Sequence, residues 1–180
     1  MGKMAGYKYL LTYQYASVIY DLTVEFCPVF LPGRELMRQR DQMTQAGRSG
    51  KQNIVEGYEL NSLEGYIKFL GISKGSIREL QEDYEDFLRQ RRLNLWEKDV
   101  PKMRKLRKIR VMREAYPHIP QFPHIPHDPE LAANLMIMLC QRTGYLLKKQ
   151  ISSLREKFVK EGGFRENLFR ERIKQRKKND

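Results

Sequence analysis

Histidine, cysteine and tryptophan are scarce in this chain, and a long apolar run is missing. Three histidines, two cysteines and one tryptophan occur among 180 residues. His118, His124 and His127 all fall in one proline-rich stretch. Their HxxxxxHxxH spacing, with Asp128 beside it, matches no standard zinc pattern and has no cysteine nearby, so neither metal nor cofactor is expected. Cys27 and Cys140 are far apart and form no CxxC pair, which argues against a disulfide framework. Each lies in an apolar helical run, where a free thiol acts as a small hydrophobe. No run approaches roughly 18 apolar residues, so no membrane span is expected. The opening MGKMAGYKY lacks the apolar core of a signal peptide, which leaves the cytoplasm as the default location.

Catalytic motifs are missing as well. There is no GxxxxGK[ST] phosphate loop, since GRSGK at Gly47 to Lys51 is too short and sits within a helical pattern. There is no GxSxG elbow. The acidic cluster Glu79, Glu82, Asp83, Glu85 and Asp86 lacks the Glu-x-x-His of a carboxylate-bridged metal pair and reads as a solvated face able to pair with basic residues. Asn53 and Glu56, one turn apart near a helix end, read as hydrogen-bonding partners of loop backbone. These gaps predict a protein that is not an enzyme.

What is present is positive charge and helical periodicity. Lysine and arginine number 34 against 22 acidic residues, a net charge of +12. Leu11, Tyr15, Val18 and Leu22 share one stripe of a helix from about Met4 to Cys27, which Pro28 and the following FLPGRE are expected to end. A second stripe, Tyr9, Tyr13, Ala16 and Tyr20, suggests aromatic contacts beyond a single core. A second helix is expected over 34–58, with Gly47 and Gly50 on its apolar stripe marking a tight helix crossing. Asn61 to Glu64 reads as a capping box for a third helix reaching about Arg91. There Tyr66, Leu70, Ser73, Ile77, Leu80, Tyr84 and Phe87 alternate spacings of four and three without a break. Gly71 and Gly75 beside that seam are read as permitting further close packing.

A short basic helix is expected from Pro101 to Tyr116. Prolines at 117, 120, 123, 126 and 129 then suggest an extended strap. Asp128 and Pro129 open the last long helix, which Gly162 and Gly163 stop. Its stripe is Ala133, Ile137, Cys140, Gly144, Leu147, Ile151, Leu154 and Phe158. A short helix with Phe164, Leu168 and Ile173 on one side follows, then a disordered KQRKKND. The expected architecture is an all-α, up-and-down four-helix bundle over 1–163. A basic helix and proline-rich strap (98–128) are inserted before the last helix, and a basic tail follows over 164–180.

Several of these elements occur together in a known family. Asn53-Ile54-x-Glu56-Gly57, Ser62, Phe69-Leu70, Gly75-Ser76 and Glu79-Leu80 stand in the order found in the four-helix-bundle proteins encoded within 23S ribosomal RNA intervening sequences. The stretch from Gln45 to Leu88 resembles their core motif. Ser49-Gly50-Lys51 replaces the usual Ile-Pro, implying a straighter second helix. The run from Ala133 to Ile173, with Glu161-Gly162-Gly163-Phe164-Arg165-Glu166, resembles the "suffix" subgroup. The resemblance implies up-and-down bundles that assemble as rings, often pentamers. It extends distantly to the accessory protein of diversity-generating retroelements, which binds nucleic acid and a reverse transcriptase.

The expected function is a non-enzymatic homo-oligomer that binds nucleic acid, with RNA favoured. The alternative is an interaction scaffold or accessory subunit of a reverse transcriptase or another nucleic-acid enzyme. Expected phosphate contacts lie in a dense basic segment, Lys98, Lys102, Arg104, Lys105, Arg107, Lys108, Arg110 and Arg113, and in the tail at Arg170, Arg172, Lys174 and Arg176. A third basic group, Arg89 to Arg92, reads equally as a helix C-cap. The tyrosines of the first helix are expected mainly in core or interface.

Overall fold

The computed structural model describes residues 6–97, 101 and 124–179, with side chains to 177. The expected helix from Pro101 to Tyr116 and most of the strap therefore lie outside the described residues. Among these, regular structure is helical: a 3-10 turn at Gly6–Tyr9, then α1 (Leu11–Phe30), α2 (Met37–Glu59), α3 (Leu63–Gln90), α4 (Pro129–Glu161) and α5 (Phe164–Asn179).

The first four helices run up, down, up and down, and their cross-contacts fix the directions. Gly47 on α2 meets Tyr20 on α1, while Thr44 Oγ1 reaches Cys27 Sγ one turn towards the loop. Ser73 Oγ donates to the Gly50 carbonyl at 2.6 Å, and Gly57 abuts Phe69, so α3 runs against α2. Thr12 Oγ1 donates to Gln150 Oε1 (2.8 Å) and Gln150 Nε2 to the Tyr66 hydroxyl (2.6 Å). The starts of α1 and α3 therefore lie level with the later part of α4. The bundle closes between α1 and α4.

Its centre is aromatic. Phe26 is fully buried, with ring centroids 4.7 Å from Phe30, 4.9 Å from Tyr84 and 4.9 Å from Phe87. Burial raises the Tyr84 phenol well above its usual pKa. The phenol is satisfied by Thr23 at 2.8 Å, whose own hydroxyl donates to the Ile19 carbonyl. Both cysteines are buried, and burial pushes the Cys27 thiol up to about 11, so neither is a reactive thiolate.

Pro28 does not end α1, which continues to Phe30. The carbonyl left without a partner by the missing proline N–H is that of Val24, on an exposed part of the helix where water can bond it. The buried register starts at Thr12 rather than Leu11, which is exposed, because the Thr12 hydroxyl is engaged with α4. The second aromatic stripe is largely used within the chain: Ala16 is core, Tyr13 stacks edge-on with Tyr7 at 5.0 Å, and Tyr20 lies beneath the Lys51 ammonium. Residues 34–36 form a turn, and α2 starts only at Met37. The Arg40 guanidinium pins that turn by donating to the carbonyls of Leu31 (2.5 Å) and Gly33 (2.6 Å). The α3 cap is Ser62, whose Oγ accepts from Gly65 N, and not Asn61.

The glycines divide. A Cβ on Gly50 would stand 2.7 Å from Ile77 Cδ1, and one on Gly47 would touch Tyr20 Cα at 3.5 Å, so these two mark the expected close crossing. Gly71 and Gly75 do not: both are exposed, with nothing within 4 Å of an added Cβ. They lie about 100° and 140° around α3 from Leu70, away from the seam. Gly144 likewise faces open space. Gly71→Ala and Gly75→Ala are each expected to stabilise the chain by up to about 1 kcal/mol, and Gly50→Ala to destabilise it. Urea midpoints for the three variants check this; a loss in the first two would mean those glycines pack against something.

Two anchors hold the ends of the segment between α3 and α4. Glu130 Oε2 accepts from Asn94 N and Nδ2, both at 3.1 Å, and its Oε1 accepts from Trp96 Nε1 at 2.6 Å. Asn134, fully buried, accepts from Trp96 N (2.8 Å) and donates to the carbonyls of Asn94 and Glu130. At the other end His124 Nδ1 meets Glu25 Oε1 at 2.9 Å, and Ile125 is buried.

The limits of α4 are as expected: Asp128 Oδ1 caps Leu131 N at 2.6 Å, and Gly162 ends the helix at φ +80°. Residues 132–140 are buried on every side. Beyond Gln150 the helix runs on past the level of α1's start, and Val159 is 82% exposed. The tail does not fray at Lys174; α5 continues to Asn179, as a run of good helix formers allows. Phe164 and Leu168 share a side, but Phe169 and Ile173 fall on the opposite one, so α5 has no single apolar face.

Candidate nucleic-acid interface

Apart from residues 132–140 of α4, which are buried on every side, each helix of the bundle turns one stripe inward, which decides what the remaining stripe offers to solvent. On α3 the outward stripe is acidic and in part paired within the helix. Arg78 meets Glu82 at 2.9 Å, Arg89 meets Asp86 at 2.8 Å, and Gln81 Nε2 donates to Glu85 Oε1 at 2.6 Å. Burial, and then the neighbouring Glu79, Asp86 and Glu82, push the Asp83 carboxyl up to about 6. A carboxyl whose folded pKa lies above the unfolded value is held more tightly in its protonated form by the folded chain. Ionised Asp83 therefore costs stability above about pH 6, and that cost disappears as the pH falls towards about 4. Asp83→Asn is expected to raise the urea midpoint at about pH 7.5 and to give no gain at about pH 4. Equal gains at both would show that the charge is not the cause.

The outward stripe of α4 is the opposite. From Leu131 to Arg155 there is no Asp or Glu, while Arg142, Lys148, Lys149 and Arg155 are all present. Gln141, Arg142, Tyr145, Lys148, Lys149 and Ser152 are exposed together, as the i, i+3, i+4, i+7 spacing requires. None of these four cations is in an ion pair with a described residue. Arg142 lies 5.2 Å over the Tyr15 ring on α1, which orients the guanidinium, and its charge opposes the rise that burial gives the Tyr15 phenol. Lys149 Nζ stands 5.8 Å from the centre of the Tyr145 ring.

Further cations follow on α5, where Arg165, Arg170, Arg172, Lys174, Arg176 and Lys177 are exposed. Arg170 reaches back to the Glu161 carbonyl at 3.3 Å; Arg172, Lys174 and Arg176 make no ion pair with a described residue. Four of the sequence-predicted contacts, Arg170, Arg172, Lys174 and Arg176, are thus exposed on one helix. The other eight, Lys98, Lys102, Arg104, Lys105, Arg107, Lys108, Arg110 and Arg113, lie outside the described residues.

The third basic group serves the fold. Arg89 pairs with Asp86, and Arg91 donates to the Phe30 carbonyl at 3.1 Å while lying over the Phe87 ring. Arg92 takes a left-handed φ of 56°, with Leu93 N on the Leu88 carbonyl and Arg92 N on that of Arg89, closing α3 as a Schellman turn. Asn53 bonds one turn back along α2, to Ser49 O and Oγ, rather than to loop backbone.

Among the described residues no helix is long and apolar enough to cross a membrane. The arrangement defines a class first: an all-α bundle with one acidic outer helix, one basic outer helix and a basic helical extension. The family model for the 23S rRNA-intervening sequence protein matches residues 9–108, more than half the chain, and the chain belongs to that family. No curated protein and no solved structure matches it.

Proposed function

We propose that this chain is a non-enzymatic, homo-oligomeric protein that binds nucleic acid, with RNA favoured, through the outer face of α4 and through α5. The observation that carries this reading is the separation of charge between helices. On α3 Glu82 and Asp86 are paired within the helix, Glu85 accepts from Gln81 and Asp83 is partly buried, which leaves Glu64 and Glu79 exposed, while Arg142, Lys148, Lys149 and Arg155 on α4 and Arg172, Lys174 and Arg176 on α5 make no ion pair with a described residue. Exposed, uncompensated cations on rigid helices suit a polyanion, whose phosphates replace the missing carboxylates. Membership in a family encoded within ribosomal RNA genes favours RNA. The dense cations from Lys98 to Arg113 would add to the same field.

A second reading is an accessory subunit of a reverse transcriptase or another nucleic-acid enzyme. It draws on Phe164, Leu168 and Phe169, which are exposed on α5 among the basic residues and could seat on a protein partner. Fluorescence anisotropy with labelled RNA and DNA oligonucleotides at about 20 mM salt tests the first reading. Absence of binding to either would leave the second.

A further inference from the structure

We infer that the outer face of α4 is a binding strip for single-stranded nucleic acid, with Tyr145 as a base-stacking platform and Arg142, Lys148 and Lys149 as its phosphate contacts. This deepens the nucleic-acid reading and rests on it.

Tyr145 is 59% exposed in the middle of the 33-residue α4. Its hydroxyl has no hydrogen-bond partner among the described residues, and its one recorded ring contact is the Lys149 ammonium at 5.8 Å. An aromatic ring held open to solvent on a rigid element loses little conformational freedom when a flat partner stacks on it. Every base has such a face, so the site tolerates any sequence.

The surroundings agree. Lys148 and Lys149 follow Tyr145 by three and four residues and Arg142 precedes it by three, so the cations bracket the ring on one helical face. Arg142 is already oriented by Tyr15. Gly144, the preceding residue, has open space where a Cβ would stand. No carboxylate occurs between Glu130 and Glu156 to repel a phosphate chain running along the helix. Thr12 and Gln150 tie the start of α1 to this part of α4, which brings a second exposed tyrosine, Tyr9, to the same end of the bundle. A duplex keeps its bases stacked internally and offers only phosphates to such a strip. A single strand offers both phosphates and base faces.

The experiment compares three oligonucleotides of equal length on the full chain: a single strand, an abasic strand with the same phosphates, and a duplex. Wild type should bind the base-bearing strand on the order of tenfold more tightly than the abasic one, the usual size of one stacking contact. Tyr145→Ala should remove that preference, Tyr145→Phe should keep it, and duplex affinity should not change in either. Because Tyr145 is exposed, both variants should melt as wild type does, which separates stacking from misfolding. If wild type binds the abasic strand equally well, or Tyr145→Ala keeps the preference, the stacking inference is wrong while the phosphate reading stands. If wild type binds none of the three at about 20 mM salt, the nucleic-acid reading fails and this inference with it.

Discussion

Raising the salt from about 50 to about 200 mM should weaken binding to a duplex on the order of a thousandfold. Each phosphate neutralised by a lysine or arginine releases condensed counterion. Affinity then falls as a power of salt, with a slope of about −0.9 per contact on duplex and −0.7 on a single strand. The described surface offers Arg142, Lys148 and Lys149 on α4 and Arg170, Arg172, Lys174 and Arg176 on α5. About six contacts from this set set the duplex figure, and the same count on a single strand predicts a few hundredfold. Changing Arg172, Lys174 and Arg176 together to Glu should flatten the slope by about two to three and leave thermal stability unchanged, since these side chains support nothing else in the fold. An unchanged slope would move the contacts to α4 and the segment from Lys98 to Arg113. Affinity indifferent to salt would remove the electrostatic basis of the proposed function.

The second large effect concerns the core. Phe26→Ala should cost about 3–5 kcal/mol, a large share of the roughly 5–15 kcal/mol that holds a domain together. Phe26 has zero exposure, and three rings pack against it from two helices, so a truncated side chain leaves a cavity that α1 and α3 cannot both close. For a chain of this size each kcal/mol corresponds to about 2–4 °C, so the melting temperature should fall by roughly 6–20 °C. Phe26→Leu, which keeps most of the volume, should cost far less. A loss under about 1 kcal/mol for the alanine variant would show that the aromatic centre is loosely packed.

The sequence is legible where the physics is local. Asp128-Pro129 predicts the start of α4, because a carboxylate cap and a proline at the first position act within one turn. The four-three spacing of α3 identifies its buried seam from Leu70 to Phe87, since the period alone selects a face. Gly50 was legible because it stands on an apolar stripe, where only close approach explains it. Gly71 and Gly75 were misread because spacing shows which residues share a face but not which neighbour, if any, meets it. The Asn94–Trp96–Glu130–Asn134 network was invisible because its partners lie 34 to 40 residues apart. One signal was available: Asn134 is a lone amide inside an apolar run, and a buried amide demands partners. The basic face of α4 is faint in the sequence because its charge is sparse. Four cations over 25 residues look sparse until the buried stripe is known, and then they share the exposed side.

The anchoring of Trp96 and His124 has a consequence for length. The 27 residues between them begin and end at points already fixed to the bundle by side chains. Where both ends of a chain are fixed, the entropy of closing what lies between grows only with the logarithm of its length, about 0.6 kcal/mol for each doubling. By that scaling, lengthening the stretch between the two anchors is expected to change the folding free energy little, however long the insertion.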